Sequence, residues 1–189
     1  MSRAVAGFTL SVLLMAVAAA PSWAGESRDD LRKAAEAGSA SAQLALGTAL
    51  LESEAEEDWK LGISWLERAA RQGMPVYLFI GDAYRDGIGV ARDLKRAARW
   101  YRVGAEVGDG LAQLALGAMY LDGEGVRRDL LQAAVYLQLA EQRLSDPASR
   151  AKAQEALLRA KLWTSWEDWE RARELVRSWK PKPVSELIN

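Results

Sequence analysis

The chain has no cysteine and no histidine among its 189 residues. The first absence excludes disulfides, thiol nucleophiles and thiolate metal sites. The second removes the commonest general base and the commonest zinc ligand together. Any reaction chemistry would therefore rest on carboxylates, Lys, Ser or Tyr, and no cofactor is expected. An excess of one charge is missing as well, since 25 basic residues face 26 acidic ones. Nucleic-acid binders usually carry a basic surplus, so no nucleic-acid partner is expected. One apolar run stands out, from Ala4 to Ala20, behind Arg3. With small residues at Ser22 and Ala24 after it, residues 1–24 read as a secretory signal peptide cut after Ala24. The alternative is an uncleaved anchor, but a span needs about 20 strongly apolar residues, and this run is Ala-rich with Gly7, Thr9 and Ser11 inside it. Cleavage would leave 165 residues, which suits one domain, with no membrane span and a periplasmic location.

What is present is a repeat. Leu111-Ala-Gln-Leu-Ala-Leu-Gly-Ala-Met-Tyr-Leu-Asp-Gly-Glu-Gly-Val126 can be laid over earlier stretches. Gly117 has counterparts at Gly81 and Gly47, steps of 36 and 34 residues, and Tyr136 has counterparts at Trp100 and Trp65, steps of 36 and 35. A period near 35 means stacked helical hairpins. The expected organisation is an N-terminal capping helix in 25–38, three hairpins at 39–73, 74–108 and 109–144, a C-terminal capping helix pair at 145–180, and a flexible tail at 181–189. Within the hairpins, helices are expected at 39–52 and 58–72, then 75–85 and 93–107, then 110–121 and 129–144. Pro75 suits a first helical position. Asp93 and Asp129 suit N-caps, Asp129 with Gln132 fits a capping box, and so does Thr164 with Glu167. Asp146-Pro147 opens another helix. Gly47, Gly81 and Gly117 lie mid-helix, where Gly costs roughly 1 kcal/mol against Ala, so close approach of the second helix is the expected return. The glycines of Asp86-Gly-Ile-Gly-Val90 and Asp122-Gly-Glu-Gly-Val126 allow the positive φ of a helix stop.

These strings closely resemble the Sel-one-like repeat, a cousin of the tetratricopeptide repeat, over Leu78 to Ala105 and Ala112 to Ala140. The first hairpin departs from the pattern, with Glu52-Ser-Glu-Ala-Glu-Glu-Asp58 in place of the glycine loop and Leu50 where Tyr is usual. The resemblance implies an all-α, right-handed α-solenoid of stacked antiparallel helical hairpins, with about eight helices. It implies scaffolding, so the expected function is a non-enzymatic periplasmic adaptor that holds another envelope protein, as a peptide or helix in a groove. By likeness to tetratricopeptide geometry, the concave partner-binding strip would comprise Leu44, Leu51, Leu78, Asp82, Arg85, Leu114, Ala118 and Leu121. The leucines would serve as anchors or pack between neighbouring helices. Asp82 and Arg85 would set register or form a local ion pair.

Two rivals remain. Trp163, Trp166, Trp169 and Trp179 fall late in the chain and could bind peptidoglycan or carbohydrate. Trp169, Ala172, Val176 and Trp179 share one helical face and are expected to seal the end of the core, while Trp166 is expected to stack on a ligand or lie against the preceding helix. Some disulfide-rich members of the resembled family bind or hydrolyse β-lactams, which implies a cell-wall amide hydrolase. This chain lacks their Cys pairs and any Ser-x-x-Lys motif. The acidic run Glu52–Asp58 lacks the spacing and Gly of a calcium loop, and reads as a solvated loop with acids near a helix N-terminus.

Overall fold

A computed structural model describes residues 27–188, so the expected signal peptide lies outside the described residues. Among them all regular structure is helical, with nine α-helices, one 3-10 turn and no strand. The chain divides after Arg92 into two compact units.

The first unit begins with α1 (Arg28–Glu36), whose N–H at Asp30 is capped by the Ser27 hydroxyl at 3.2 Å. It packs on α2 (Ala40–Leu51), which forms a hairpin with α3 (Glu56–Arg71). The hairpin closes through facing glycines. A Cβ added to Gly47 would lie 2.9 Å from the Leu66 side chain and 3.0 Å from the Gly62 carbonyl oxygen. The mid-helix glycine is therefore a contact surface, and Gly62 is its partner. Ala35, Ala42, Leu46, Leu50 and Trp65 fill the core beside it.

The next helix, α4 (Tyr77–Asp86), starts two residues after Pro75 and has no side-chain cap. Pro75 is thus not its first helical residue, contrary to the expectation from sequence. The Val76 N–H instead bonds the Met74 carbonyl at 2.8 Å, a tight turn after Gly73 at φ 94°. At its other end α4 stops at Gly87 (φ 76°), and Arg92 Nε donates to the Arg85 carbonyl at 2.9 Å. The irregular first loop uses another donor, with Trp59 Nε1 bonded to the Ser53 carbonyl at 2.7 Å.

The second unit holds α5 (Leu94–Val107), α6 (Gly110–Asp122), α7 (Leu130–Arg143), α8 (Pro147–Trp163) and α9 (Trp166–Ser178). Asp93, Asp129 and Asp146 cap α5, α7 and α8 as their spacing predicts. A Cβ on Gly117 would lie 2.8 Å from Leu137, so α6 and α7 close as α2 and α3 do. Helices α8 and α9 both pack on α7, and α8 turns its small residues inward. Ala153 sits with Ala140 and Leu144, while Ala156 and Ala160 sit with Leu121, Ala133 and Leu137.

Two expectations fail here. The cap of α9 is Ser165, accepting from the Asp168 N–H at 3.1 Å. Thr164 instead bonds back to the Ala160 carbonyl at 2.7 Å and ends α8, because a connection this short leaves it in reach of the preceding turn. The segment after Trp179 does not trail away. Lys182 donates its N–H to the Glu106 carbonyl and its ammonium to the Glu106 carboxylate, both at 2.9 Å. Val184–Glu186 then forms a 3-10 turn. Pro181 and Pro183 do stop the helix, but the residue between them keeps a donor and uses it.

Candidate functional site

Two of the eight residues of the expected strip are closed off from solvent. Leu121 is 0% exposed and Leu51 6%, which corrects their assignment as partner-binding residues. Leu121 is enclosed by α7 and α8, in a cluster with Ala133, Leu137, Ala156 and Ala160. Leu51 lies over the gap that Gly62 leaves, 3.1 Å from where a Cβ would stand. Leu114 is half-buried and packs against the Leu121 cluster and against the one formed by Ala140, Leu144 and Ala153. Leu44, Leu78 and Ala118 are half-exposed. Asp82 and Arg85 do come together, at 2.9 Å, and Arg85 also pairs with Asp86 at 2.8 Å. The Arg85 hydrogen bond is the main cause that holds the Asp86 carboxyl below its ordinary value.

The repeat builds a different concavity in the second unit. A cleft of about 660 Å³ is lined by Arg102 on α5, Tyr120 on α6, and Val126, Arg127, Arg128 and Asp129 in the loop before α7. Gly123 and Gly125, at φ 75° and 67°, shape that loop. A Cβ on Gly125 would overlap the Leu94 backbone, so the loop is pressed onto the first turn of α5. Arg128 is fixed from two sides. Its Nε donates to the Leu121 carbonyl at 3.1 Å, and its guanidinium lies 4.6 Å from the Trp163 ring centroid.

Arg102 Nη2 donates to the Tyr120 hydroxyl at 2.6 Å, and the Tyr120 ring stacks on Tyr136 at 6.0 Å with the planes 2° apart. Tyr136 in turn donates to Glu106 at 2.6 Å; its burial, then that carboxylate, push the phenol well above its ordinary pKa. Among the described residues, no salt bridge neutralises Arg102, Arg127 or Arg128. The one carboxylate in the lining, Asp129, accepts the Gln132 N–H at 3.0 Å. Three guanidinium groups thus face one occupied carboxylate.

Sequence reasoning passed over Arg102 and Arg127. Register would have exposed them, because Arg102 stands two residues after Trp100 as Glu67 stands two after Trp65, and Arg127 stands where Ala91 does. It also passed over Gln43 and Gln113, each four residues before a mid-helix glycine. Both are buried, and their Nε2 atoms donate to the Ala35 and Ala105 carbonyls at 3.1 and 3.0 Å. They tie each hairpin to the end of the helix before it.

The late tryptophans separate. Trp169 and Trp179 are half-buried beside the buried Ala172, with Arg143 4.3 Å from the Trp179 centroid. Trp166 is 73% exposed. It does not lie against the preceding helix, because Ser165 turns the chain before it and α9 turns Ala172 inward. Leu158 and Leu162, late in α8, are exposed too. No helix of the described residues is long and apolar enough to cross a membrane.

Comparison with known proteins agrees with this geometry. The Sel1 repeat profile matches residues 40–74, 77–109 and 110–143. No curated protein sequence gives a match. Among solved structures, a protective antigen of uropathogenic Escherichia coli strains that displays an SLR fold superposes with a TM-score of 0.68 at 26% identity. That match covers 96% of this chain and 39% of the antigen, so the chain spans well under half the antigen's length. A Sel1 repeat protein from Oxalobacter formigenes superposes with a TM-score of 0.56 at 33% identity, covering 67% of this chain and 98% of that protein. With three matched repeats over more than half of its length, the chain belongs to the Sel1 repeat family, and its fold is the all-α hairpin solenoid of that family.

Proposed function

We propose that the protein is a non-enzymatic periplasmic adaptor that holds another envelope protein. Sel1 repeats commonly mediate protein–protein interaction and are typically non-catalytic. The observation that carries the reading is the cleft of the second unit, a preformed concavity lined by three guanidinium groups, an aromatic ring and Val126. Such a mixture suits recognition of a polypeptide segment. The half-exposed Leu44, Leu78 and Ala118, with the Asp82–Arg85 pair, offer further partner contacts on the first helices of the hairpins. The periplasmic location rests on the signal-like N-terminus.

The test is crosslinking in cells with a photoreactive residue at Val126, compared with the same probe at the exposed Arg99. A discrete partner band at Val126 that is absent at Arg99 is expected, with the protein recovered in the periplasmic fraction. Equal bands at both positions, or none, would count against the adaptor.

A second reading, a carbohydrate or peptidoglycan binding module, is favoured by the exposed Trp166 and Trp163, since an exposed ring can stack on a sugar face. Muropeptides should then quench tryptophan fluorescence in the native protein and not in Trp166→Ala.

A further inference from the structure

The two glycine loops of this chain share a skeleton and differ in what they carry. Arg92 and Arg128 each close their loop onto a helix-end carbonyl, that of Arg85 and that of Leu121. Gly87 and Gly123 take the same φ to within a degree, and Gly89 and Gly125 the same value. Tyr84 and Tyr120 occupy the same register after their central glycines. Beyond that the chemistry inverts. In the first unit Tyr84 donates its hydroxyl proton to the Glu67 carboxylate at 2.8 Å. In the second, Tyr120 accepts from Arg102 at 2.6 Å. The loop residue beside the closing arginine changes from Ala91 to Arg127.

The repeat therefore folds with an acid and an alanine at these positions. Arginine at 102 and 127 is not required by the packing, and concentrating positive charge in one place is unfavourable unless something anionic relieves it.

We infer that the cleft around Arg102 and Arg127 is a docking site for an acidic peptide segment of a partner protein. This rests on the adaptor reading and names the partner's chemistry. The planar guanidinium forks match carboxylates in bidentate geometry. Arg102 is oriented by Tyr120, and Arg127 is exposed at the mouth, while the lining's one carboxylate, Asp129, is taken up in capping α7. The Tyr120 ring and Val126 add apolar surface that suits a segment in which Glu or Asp alternates with apolar residues. A bare polyanion would use the charges and leave that surface idle.

The experiment measures binding of a fluorescein-labelled Glu/Leu peptide to the folded protein by anisotropy. The same peptide with Gln for Glu, and an inorganic polyphosphate competitor, are run beside it. The comparison variant is R102E/R127A, which gives this cleft the composition the other loop already folds with; R127A alone and a thermal melt guard against unfolding. Saturable binding of the Glu/Leu peptide is expected, with none for the Gln peptide and a loss of about tenfold or more in the double variant. Native melting should be retained throughout. Binding that is equally tight to the double variant, no binding to the native protein, or displacement by polyphosphate as effective as by unlabelled peptide would each overturn the inference. The Val126 crosslink keeps the two ideas separable. A partner band that persists in R102E/R127A would overturn the acidic-peptide site and leave the adaptor standing. Peptide binding without any partner band in cells would count against the adaptor and not the site.

Discussion

The loop at Asp86–Val90 and the loop at Asp122–Val126 are close copies in backbone and opposites in charge. Both stop a helix with a left-handed glycine, and both use the second glycine to press on the first turn of an earlier helix: Gly89 against Trp59, Gly125 against Leu94. Both are closed by an arginine on a carbonyl. What differs is the equipment around the tyrosine, Glu67 and Ala91 in one case and Arg102 and Arg127 in the other. The comparison separates positions that specify the hairpin from positions the hairpin leaves open. A repeat protein can specialise only at the second kind.

The largest effects should come from the shared skeleton. Gly125→Ala would drive a methyl into the Leu94 backbone at a left-handed φ, where strain alone is about 1–2 kcal/mol. A loss of about 3 kcal/mol or more in urea unfolding is expected, the clash adding to that strain. Gly89→Ala, 2.8 Å from the Trp59 backbone, should cost somewhat less. Gly38→Ala and Gly73→Ala meet nothing within 4 Å and should show only the backbone strain, about 1–2 kcal/mol. If all four cost the same, close approach is not what the loop glycines are for.

Next come the leucines of the expected strip. Leu121→Ala should cost about 2–5 kcal/mol, since Leu121 is sealed under α7 and α8, whereas half-exposed Leu44 should cost clearly less on the same change. A Leu121→Ala protein that unfolds at the native urea concentration would mean the leucine is not the packing element its burial makes it.

The contrast between these leucines marks how far the sequence could be read. The period, the glycines, the aspartate caps and the family were legible because each repeats locally with a fixed spacing. The fate of Leu121 was not, because it depends in part on α8, which lies outside the three repeats and brings Ala156 and Ala160 into its cluster. The tail escaped for a similar reason. Its partner Glu106 lies more than 70 residues earlier, and Pro-Lys-Pro spacing says only that the helix ends. The exposure of Trp166 was hidden because the cap shifts by one residue, from Thr164 to Ser165, which re-aims the first turn of α9. The cleft was legible in part. Its loop is plain from the paired glycines, but its arginines stand out only when Glu67 and Arg102 are placed side by side.

A smaller effect should accompany pH in the second unit. Lys182 is raised above 10.5 by its hydrogen bond to Glu106, and Tyr136 above 10.0 by burial and then by Glu106. Groups whose folded pKa is raised give stability that is complete below the unfolded pKa and is lost as pH climbs through the folded value. Stability should therefore hold from neutral pH to about 10 and fall above it. Glu106→Gln should be less stable at neutral pH and lose less above that point, as read from melting temperature against pH.

The smallest change in stability should come from transplanting the difference itself. Glu67→Arg with Ala91→Arg would give the first unit's loop the two side chains that distinguish the second. Tyr84 then meets a guanidinium as Tyr120 does, so one hydrogen bond replaces another, and residue 91 is exposed. Stability should move by no more than about 0.5 kcal/mol, the usual range for surface substitutions. Binding is where the swap should register. If charge at these two positions is what recruits an acidic segment, the E67R/A91R protein should bind the Glu/Leu peptide in excess of the native chain, and should retain binding when R102E/R127A removes the original cleft. If the transplanted loop folds and does not bind, then Val126, Arg128 under Trp163 and the α8 helix behind them are also part of recognition. The open positions of the repeat would then be necessary for specialisation without being sufficient for it.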